Sequence, residues 1–433
     1  MTRNEPPGLF SVGEAQVASP TTSSFPSPVD VARNFDPARL TQARQLAPMT
    51  KQKLAREIGV TAAAVGQYES GMRPRPDLLV AMATVLGYPV EFFMVGRPHA
   101  KLDASTAHFR SLRATRSYQR AKAVAFTEQV WELTYALEKR VQLPWVDLPG
   151  FSGGEIIPSE DLPTDPTLAA EAVRYRWNLG AGPIQHLVRT LEVHGIVVVL
   201  APENSDFATV DAFSTSHLPR PIIVISRDRT ADVYRHRFTV AHELGHLVLH
   251  GDANPGDPMQ EREADQFAAQ FLTPRASVFP QLPTRVNFGV FAELQSTWGV
   301  SISSLIYRCR EVGRFSATTT SRAYQRLNAL ERDDAIVSEP ISGYPGEQPT
   351  LLRSAFELAT QHGASVTALA TELAWPADRV RELIGASDER PKLELIIGGK
   401  ASQPTYARRA RKDPDDLDAP EQDSGRPSRT FRT

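Results

Sequence analysis

Apolar residues recur three and four apart over most of this chain, and at strand-like spacing in one central region. Between residues 37 and 94 the pattern predicts short helices. "DPARLTQARQLA" has apolar residues at helical spacing. "TKQKLAREIG" opens on Thr50 as a cap and stops at Gly59, "TAAAVGQYESG" follows a tight turn, and "PDLLVAMATVLG" has proline in its first turn. A long amphipathic stretch runs over 117–142 and ends at Pro144; a Pro/Gly-rich loop then leads to a helix over about 166–194. Three strand-like runs follow, at 195–201, 209–217 and 221–227. The middle one alternates and the outer two are nearly all apolar. Two helices, carrying "FTVAHELGHLVLH" and "MQEREADQFAAQFLTP", come next. Helical pieces then fill 288–313 and 350–385, with the loop "EPISGYPGEQP" between them.

The pattern divides the chain into a Pro/Ser/Thr-rich tail at 1–34, expected to be disordered, and a helical domain at 35–98. A basic linking helix and loop at 99–164 precede a mixed α/β domain at 165–315. A helical region at 316–398 and a disordered charged tail at 399–433 complete it. At 433 residues, two or three domains are expected. The longest apolar run, "GIVVVLAP", is the length of a strand, so no membrane span is predicted, and no signal peptide is visible. A single cysteine, Cys309, excludes an internal disulfide and fits a reducing compartment; the expected location is the cytoplasm. Net charge is −2, yet residues 37–122 hold 14 Lys/Arg against 5 Asp/Glu. Such a basic block points to a polyanionic partner, with a solvated positive face as the plain alternative.

The stretch at 238–250 sets two histidines around a glutamate. On a helix, positions i and i+4 share a face, so His242 and His246 can offer ring nitrogens to one ion. Glu243, adjacent but rotated, is placed to polarise a water instead of binding metal. A catalytic zinc site needs three protein ligands. His250 continues the series, but lies about 12 Å along the axis from His242 and cannot easily share an ion with both others. The following helix is the better source. In "EREAD", Glu261 and Asp265 are again four apart, so one carboxylate can bind metal while the other hydrogen-bonds a ligand imidazole; Glu263 points elsewhere. The alternative is a surface helix with ordinary acids, which the neighbouring HExxH disfavours.

At "RFTVAHELGHLVLH" and "EREADQFAAQFLTP", with the strands upstream, the sequence resembles the ImmA/IrrE metallopeptidase family, over roughly 165–315. The resemblance implies Zn2+ bound through His242, His246 and Glu261, with Glu243 as general base. Asp265, where the family often has Asn, is expected to orient a ligand. It also implies a strand that holds an extended peptide, here "TVDAFSTSH", by strand addition. Arg237 and His217 are the candidates for stabilising the transition state.

The segment "MTKQKLAREIGVTAAAVGQYESGMRPRPDLLVAMATVLGYPVEFF" resembles the Xre/Cro-type helix-turn-helix domain. The resemblance implies Leu54, Ala55, Val65 and Leu79 in the core and a recognition helix over about 61–69, with Thr61 and Ala62 in the major groove. Gln67 is the one long polar side chain there, so affinity is expected mostly from phosphate contacts by Lys51, Arg73 and Arg75. "LQSTWGVSISSLIYRCREVG" and "VTALATELAWPADRVRELIG" are faintly similar, and are expected to pack against the protease or a partner.

The expected fold is multidomain: an all-α helix-turn-helix domain, an α+β zincin-like metallopeptidase domain and a helical C-terminal region. The expected function is a DNA-binding transcriptional regulator whose zinc endopeptidase cleaves a repressor or related regulatory protein. Two alternatives stand beside it: a transcription factor whose peptidase-like domain only senses a ligand or metal, and an antitoxin-like protein-binding module. Duplex DNA and a protein substrate are the expected partners; a homodimer is compatible with the pattern, and no membrane partner is expected.

Overall fold

Side-chain caps and proline starts set the helix boundaries. In the computed structural model, which describes residues 26–99, 101–102, 108–109, 116–153, 162–202, 211–250, 257–333 and 338–385, the first helix is α1 (Pro28–Arg33). Ser27 and Asp30 form a reciprocal capping box around it, and Val31 is fully buried. This corrects the expectation of disorder up to residue 34. "SPVD" is a helix start as well as a Pro/Ser-rich string. Residues 1–25 and 386–433, which include the charged tail, lie outside the described residues.

Four helices follow: α2 (Pro37–Leu46), α3 (Lys51–Glu57), α4 (Ala62–Glu69) and α5 (Pro76–Leu86). The hydroxyls of Thr50 and Thr61 accept from the Lys53 and Ala64 amides, starting α3 and α4. Gly87, at φ +73°, ends α5 in the left-handed conformation. Leu54, Ala55, Val65 and Leu79 are buried in this domain's core.

The helix α6 (Ser117–Glu138) was expected as a basic connector, but 16 of its 22 residues are buried. Its Glu128 and Glu132 accept from Gln42 Nε2 at 3.1 and 3.0 Å, and Arg39 lies 2.5 Å from Glu132. Burial pushes the Glu132 pKa up while Arg39 pulls it down. Isolated, these charges would be costly inside the protein; paired across α2 and α6, they fix the helical domain to the rest.

Next come α7 (Pro166–Arg176) and α8 (Leu187–Val193), where the pattern gave one long helix. Asn178 and Gly180 take positive φ and Pro183 follows, which breaks the helix in two. The strands β2 (Val197–Leu200), β3 (Ala212–Thr215) and β4 (Ile222–Ile225) lie within the three expected runs. A fourth, β1 (His108–Phe109), comes from the linker. The order is β1-β3-β4-β2, with β2 parallel to β4 and the other neighbours antiparallel.

Alternation along the strands splits the core into two layers. Val197, Val199, Phe213, Ile222 and Val224 join the cluster formed by α6, the N-terminal helices and the C-terminal helices. Ile196, Val198, Ala212, Ile223 and Ile225 join a second cluster on the other face. That second layer holds α9 (Val233–Leu249), α10 (Pro258–Leu272), α11 (Arg275–Val278), α12 (Phe288–Trp298), α13 (Ile302–Glu311) and α14 (Ala317–Arg332). With both faces covered, the outer two runs, β2 and β4, read as nearly all apolar.

The C-terminal helices α15 (Leu351–Thr360), α16 (Val366–Leu373) and α17 (Ala377–Ile384) pack into the first layer. Two glutamates lock them on reciprocally. Glu347 accepts the Leu187 amide at the start of α8, and Glu192 at its end accepts the Thr350 and Leu351 amides at the start of α15. Both segments with faint helix-turn-helix character are thus packing elements: α12–α13 in the second core and α16–α17 in the first.

Candidate metal centre

Asp232 caps α9 by accepting the Arg235 amide at 2.9 Å, and 14 of the helix's 17 residues are buried. The strands β3 and β4 cover one side, α10 the other. A Cβ at Gly245 would lie 3.2 Å from the Ala264 Cα and 3.2 Å from the Phe267 side chain. Glycine is therefore what lets α10 approach closely enough to bring its carboxylates to the α9 histidines.

His242, His246 and Glu261 meet there. Their potential ligand atoms all lie within 4.8 Å of one another. The Nε2 atoms of His242 and His246 are 3.1 Å apart, and Glu261 carboxylate oxygens stand 3.5 and 3.7 Å from them. Both rings are held from behind: His242 Nδ1 lies 2.8 Å from Asp265, and His246 Nδ1 lies 3.0 Å from His250 Nδ1. In the tautomers that donate from His242 Nδ1 to Asp265 and from His246 Nδ1 to His250, each Nε2 turns a lone pair toward the other. Two lone pairs at that separation repel unless a cation sits between them. Donors on a tetrahedral ion with bonds of about 2.0–2.1 Å are spaced much as these are. Two imidazoles and one carboxylate are a donor set that could hold a metal ion and leave a position open.

Glu243 is fully buried next to this cluster and is not among the converging donors. The Ser214 hydroxyl of β3 donates to its Oε2 at 2.8 Å, tying the carboxylate to the sheet. Of the two candidates for transition-state stabilisation, Arg237 is committed elsewhere. Its guanidinium donates to the Gly299 and Ile184 carbonyls and pairs with Glu347, inside the protein. This corrects its assignment: it is a clamp between α9, α12 and the C-terminal region. His217 is half-buried just past β3, and its Nε2 has no hydrogen-bond partner.

His250 and Glu263, which helical spacing places off the shared ion, prove to be connected. His250 Nε2 lies 2.9 Å from Glu263, completing a line from Glu263 through His250 to His246. Burial lowers the His250 pKa against the pull of Glu263. The i, i+4 spacing of His246 and His250 is the sequence signal for the first contact of this line alone; the contact to Glu263 crosses between helices. The strand expected to receive a peptide, β3, is paired on both edges, by β4 and by β1.

On the helix-turn-helix domain, Lys51, Thr61, Ala62, Gln67, Arg73 and Arg75 are all exposed. Lys51 is engaged within the chain, 3.0 Å from Glu69, a residue that Arg44 also holds at 2.5 Å; Arg75 lies 3.0 Å from Asp77.

Residues 40–93 match the helix-turn-helix family model, and residues 191–310 match the peptidase M78 model of the IrrE N-terminal-like domain. The chain thus has a helix-turn-helix segment followed by an ImmA/IrrE-type peptidase-like domain, the arrangement its motifs resemble. No curated protein matches the chain. Among the described residues no helix is long and apolar enough to cross a membrane.

Proposed function

We propose that this protein is a DNA-binding transcriptional regulator that hydrolyses a regulatory protein at a zinc centre formed by His242, His246 and Glu261. The observation that carries this reading is the approach of the two histidine Nε2 atoms to 3.1 Å with both Nδ1 atoms already engaged. A zinc ion bound there would supply Lewis-acid polarisation of water and of the scissile carbonyl. Glu243, held by Ser214, takes the proton of the attacking water and passes it to the leaving amine. Asp265 fixes the tautomer and aim of His242. His217 is the remaining candidate for steadying the oxyanion. Burial of the centre in one layer requires the substrate to present an extended segment. DNA contact is assigned to Thr61, Ala62 and Gln67 on the recognition helix, and to Lys51, Arg73 and Arg75 on phosphates. Cytoplasmic location follows from this reading.

Metal analysis of the purified chain tests the centre. About one zinc per chain is expected, lost in His242→Ala, His246→Ala and Glu261→Ala. Full occupancy in Glu261→Ala with loss in Glu263→Ala would put Glu263, not Glu261, on the metal.

A further inference from the structure

Both edges of β3 are in use. One carries β4; the other carries the chain's own linker, His108 opposite Ser214 and Phe109 opposite Phe213, antiparallel. Ser214 is also the residue whose hydroxyl holds Glu243, so the linker backbone at His108 lies directly opposite the strand position that touches the assigned general base. An extended peptide adding to β3 beside the centre needs the main-chain groups that His108–Phe109 now cover. The linker is fixed on both sides. The Leu102 amide donates to Glu128 at 3.0 Å, and the Arg116 amide donates to Gln119 at 3.0 Å in the first turn of α6. Glu128 also accepts from Gln42 of the helix-turn-helix domain.

We propose that His108–Phe109 are a peptide ligand of this site in cis, and that a substrate in trans binds only by displacing them. The proposal rests on the peptidase reading for the identity of the site. Directly opposed residues in an antiparallel ladder alternate between exchanging two hydrogen bonds and exchanging none. A two-residue ladder is therefore held weakly by its own bonds. It persists because a short tether keeps its effective concentration high, on the order of millimolar. A longer peptide matched to β3 can replace it.

The test uses the full-length, zinc-loaded chain and a His108→Pro/Phe109→Pro variant. The double change removes whichever main-chain donor faces β3. The probe is a fluorescent synthetic peptide of residues 103–115, "DASTAHFRSLRAT", with binding read by anisotropy in a Glu243→Gln background that prevents cutting. The proline variant is expected to bind the peptide several-fold more tightly than the parent; equal binding, or binding by neither, overturns the proposal. Should the proline pair unfold the chain, hydrogen exchange on the wild type decides. Of the Phe213 and Ser214 amides, the one aimed away from β4 is protected if the linker covers it, and exchange at an open-edge rate overturns the proposal. Casein digestion, with Glu243 intact, separates the two readings. Equal cutting by both forms leaves the peptidase reading standing and removes cis closure. Peptide binding unmasked by proline, with no cutting by either form, keeps the closure and removes the peptidase reading.

Discussion

The Nδ1 atoms of His246 and His250 lie 3.0 Å apart, and the far nitrogen of His250 is 2.9 Å from Glu263. The His250 side chain is too far along α9 to join His242 on one ion, yet it reaches the back of the histidine that does converge. Partners behind a metal-binding imidazole fix its tautomer and typically change metal affinity about 10–100-fold when removed. His250→Ala should therefore weaken zinc binding by about 10–100-fold while keeping stoichiometry near one at saturating zinc. Competition with a chromogenic chelator measures this; an unchanged affinity would reduce His250 to a packing residue.

Gly245 sets the distance between the two helices that carry the donors. A valine there needs room where the Ala264 Cα and Phe267 already stand 3.2 Å from a single added carbon. Overpacking of this kind costs about 1–3 kcal/mol. Gly245→Val is expected to lower stability by that amount and to lose zinc, because α10 and Glu261 are pushed away. Retention of full metal occupancy would contradict the close-approach account.

How far the centre was legible follows from which contacts are local. His242 and His246 share a helix, so their convergence follows from helical geometry alone; Glu261 and Asp265 share the next, and their spacing marks them as a pair. The link from Glu263 through His250 crosses between those helices, and no periodicity within one helix reports it. Arg237 shows the opposite failure. A charge one turn before a metal motif invites a catalytic reading, but Glu347, 110 residues later, takes it up. The pattern also reports the strands of the sheet except β1. Two residues of a linker carry no period, and their strand character exists only because β3 offers an edge. The α6 helix reads as a connector since its buried Glu128 and Glu132 look like a solvated face until Arg39 and Gln42 are placed against them.

His236 gives the fold an acid sensitivity. It is fully buried, its Nε2 lies 3.1 Å from the Glu347 carbonyl, and burial holds its pKa at about 4. The unfolded value is near 6.5, so below that pH the unfolded chain takes up a proton that the folded one refuses. Stability is therefore complete above about pH 6.5 and falls as pH drops toward 4, by about 3 kcal/mol from this group. In denaturant titrations from pH 7 to 4, His236→Gln should lose about 3 kcal/mol less than wild type. Parallel losses would contradict a neutral buried imidazole.

Arg73 and Arg75 are exposed beyond the recognition helix, on the side assigned to phosphate. Replacing both with alanine should weaken binding of the full chain to duplex DNA across sequences. The slope of log affinity against log salt should flatten by about 0.9 for each phosphate that is no longer neutralised. An unchanged slope would mean that these side chains do not neutralise phosphates.

The central claim is that the buried centre hydrolyses a protein, and Glu243→Gln tests it most directly. Glutamine is nearly isosteric and can still pair with Ser214, so fold, zinc content and DNA binding should match wild type. Only the proton-transfer step is removed, a loss of about 10²–10⁴-fold. New protein N-termini would be profiled in cells expressing either form at equal level. The account predicts one or a few regulatory-protein N-termini that appear with wild type and vanish with Glu243→Gln. Identical profiles from the two zinc-loaded proteins, together with identical regulation of their target genes, would contradict it.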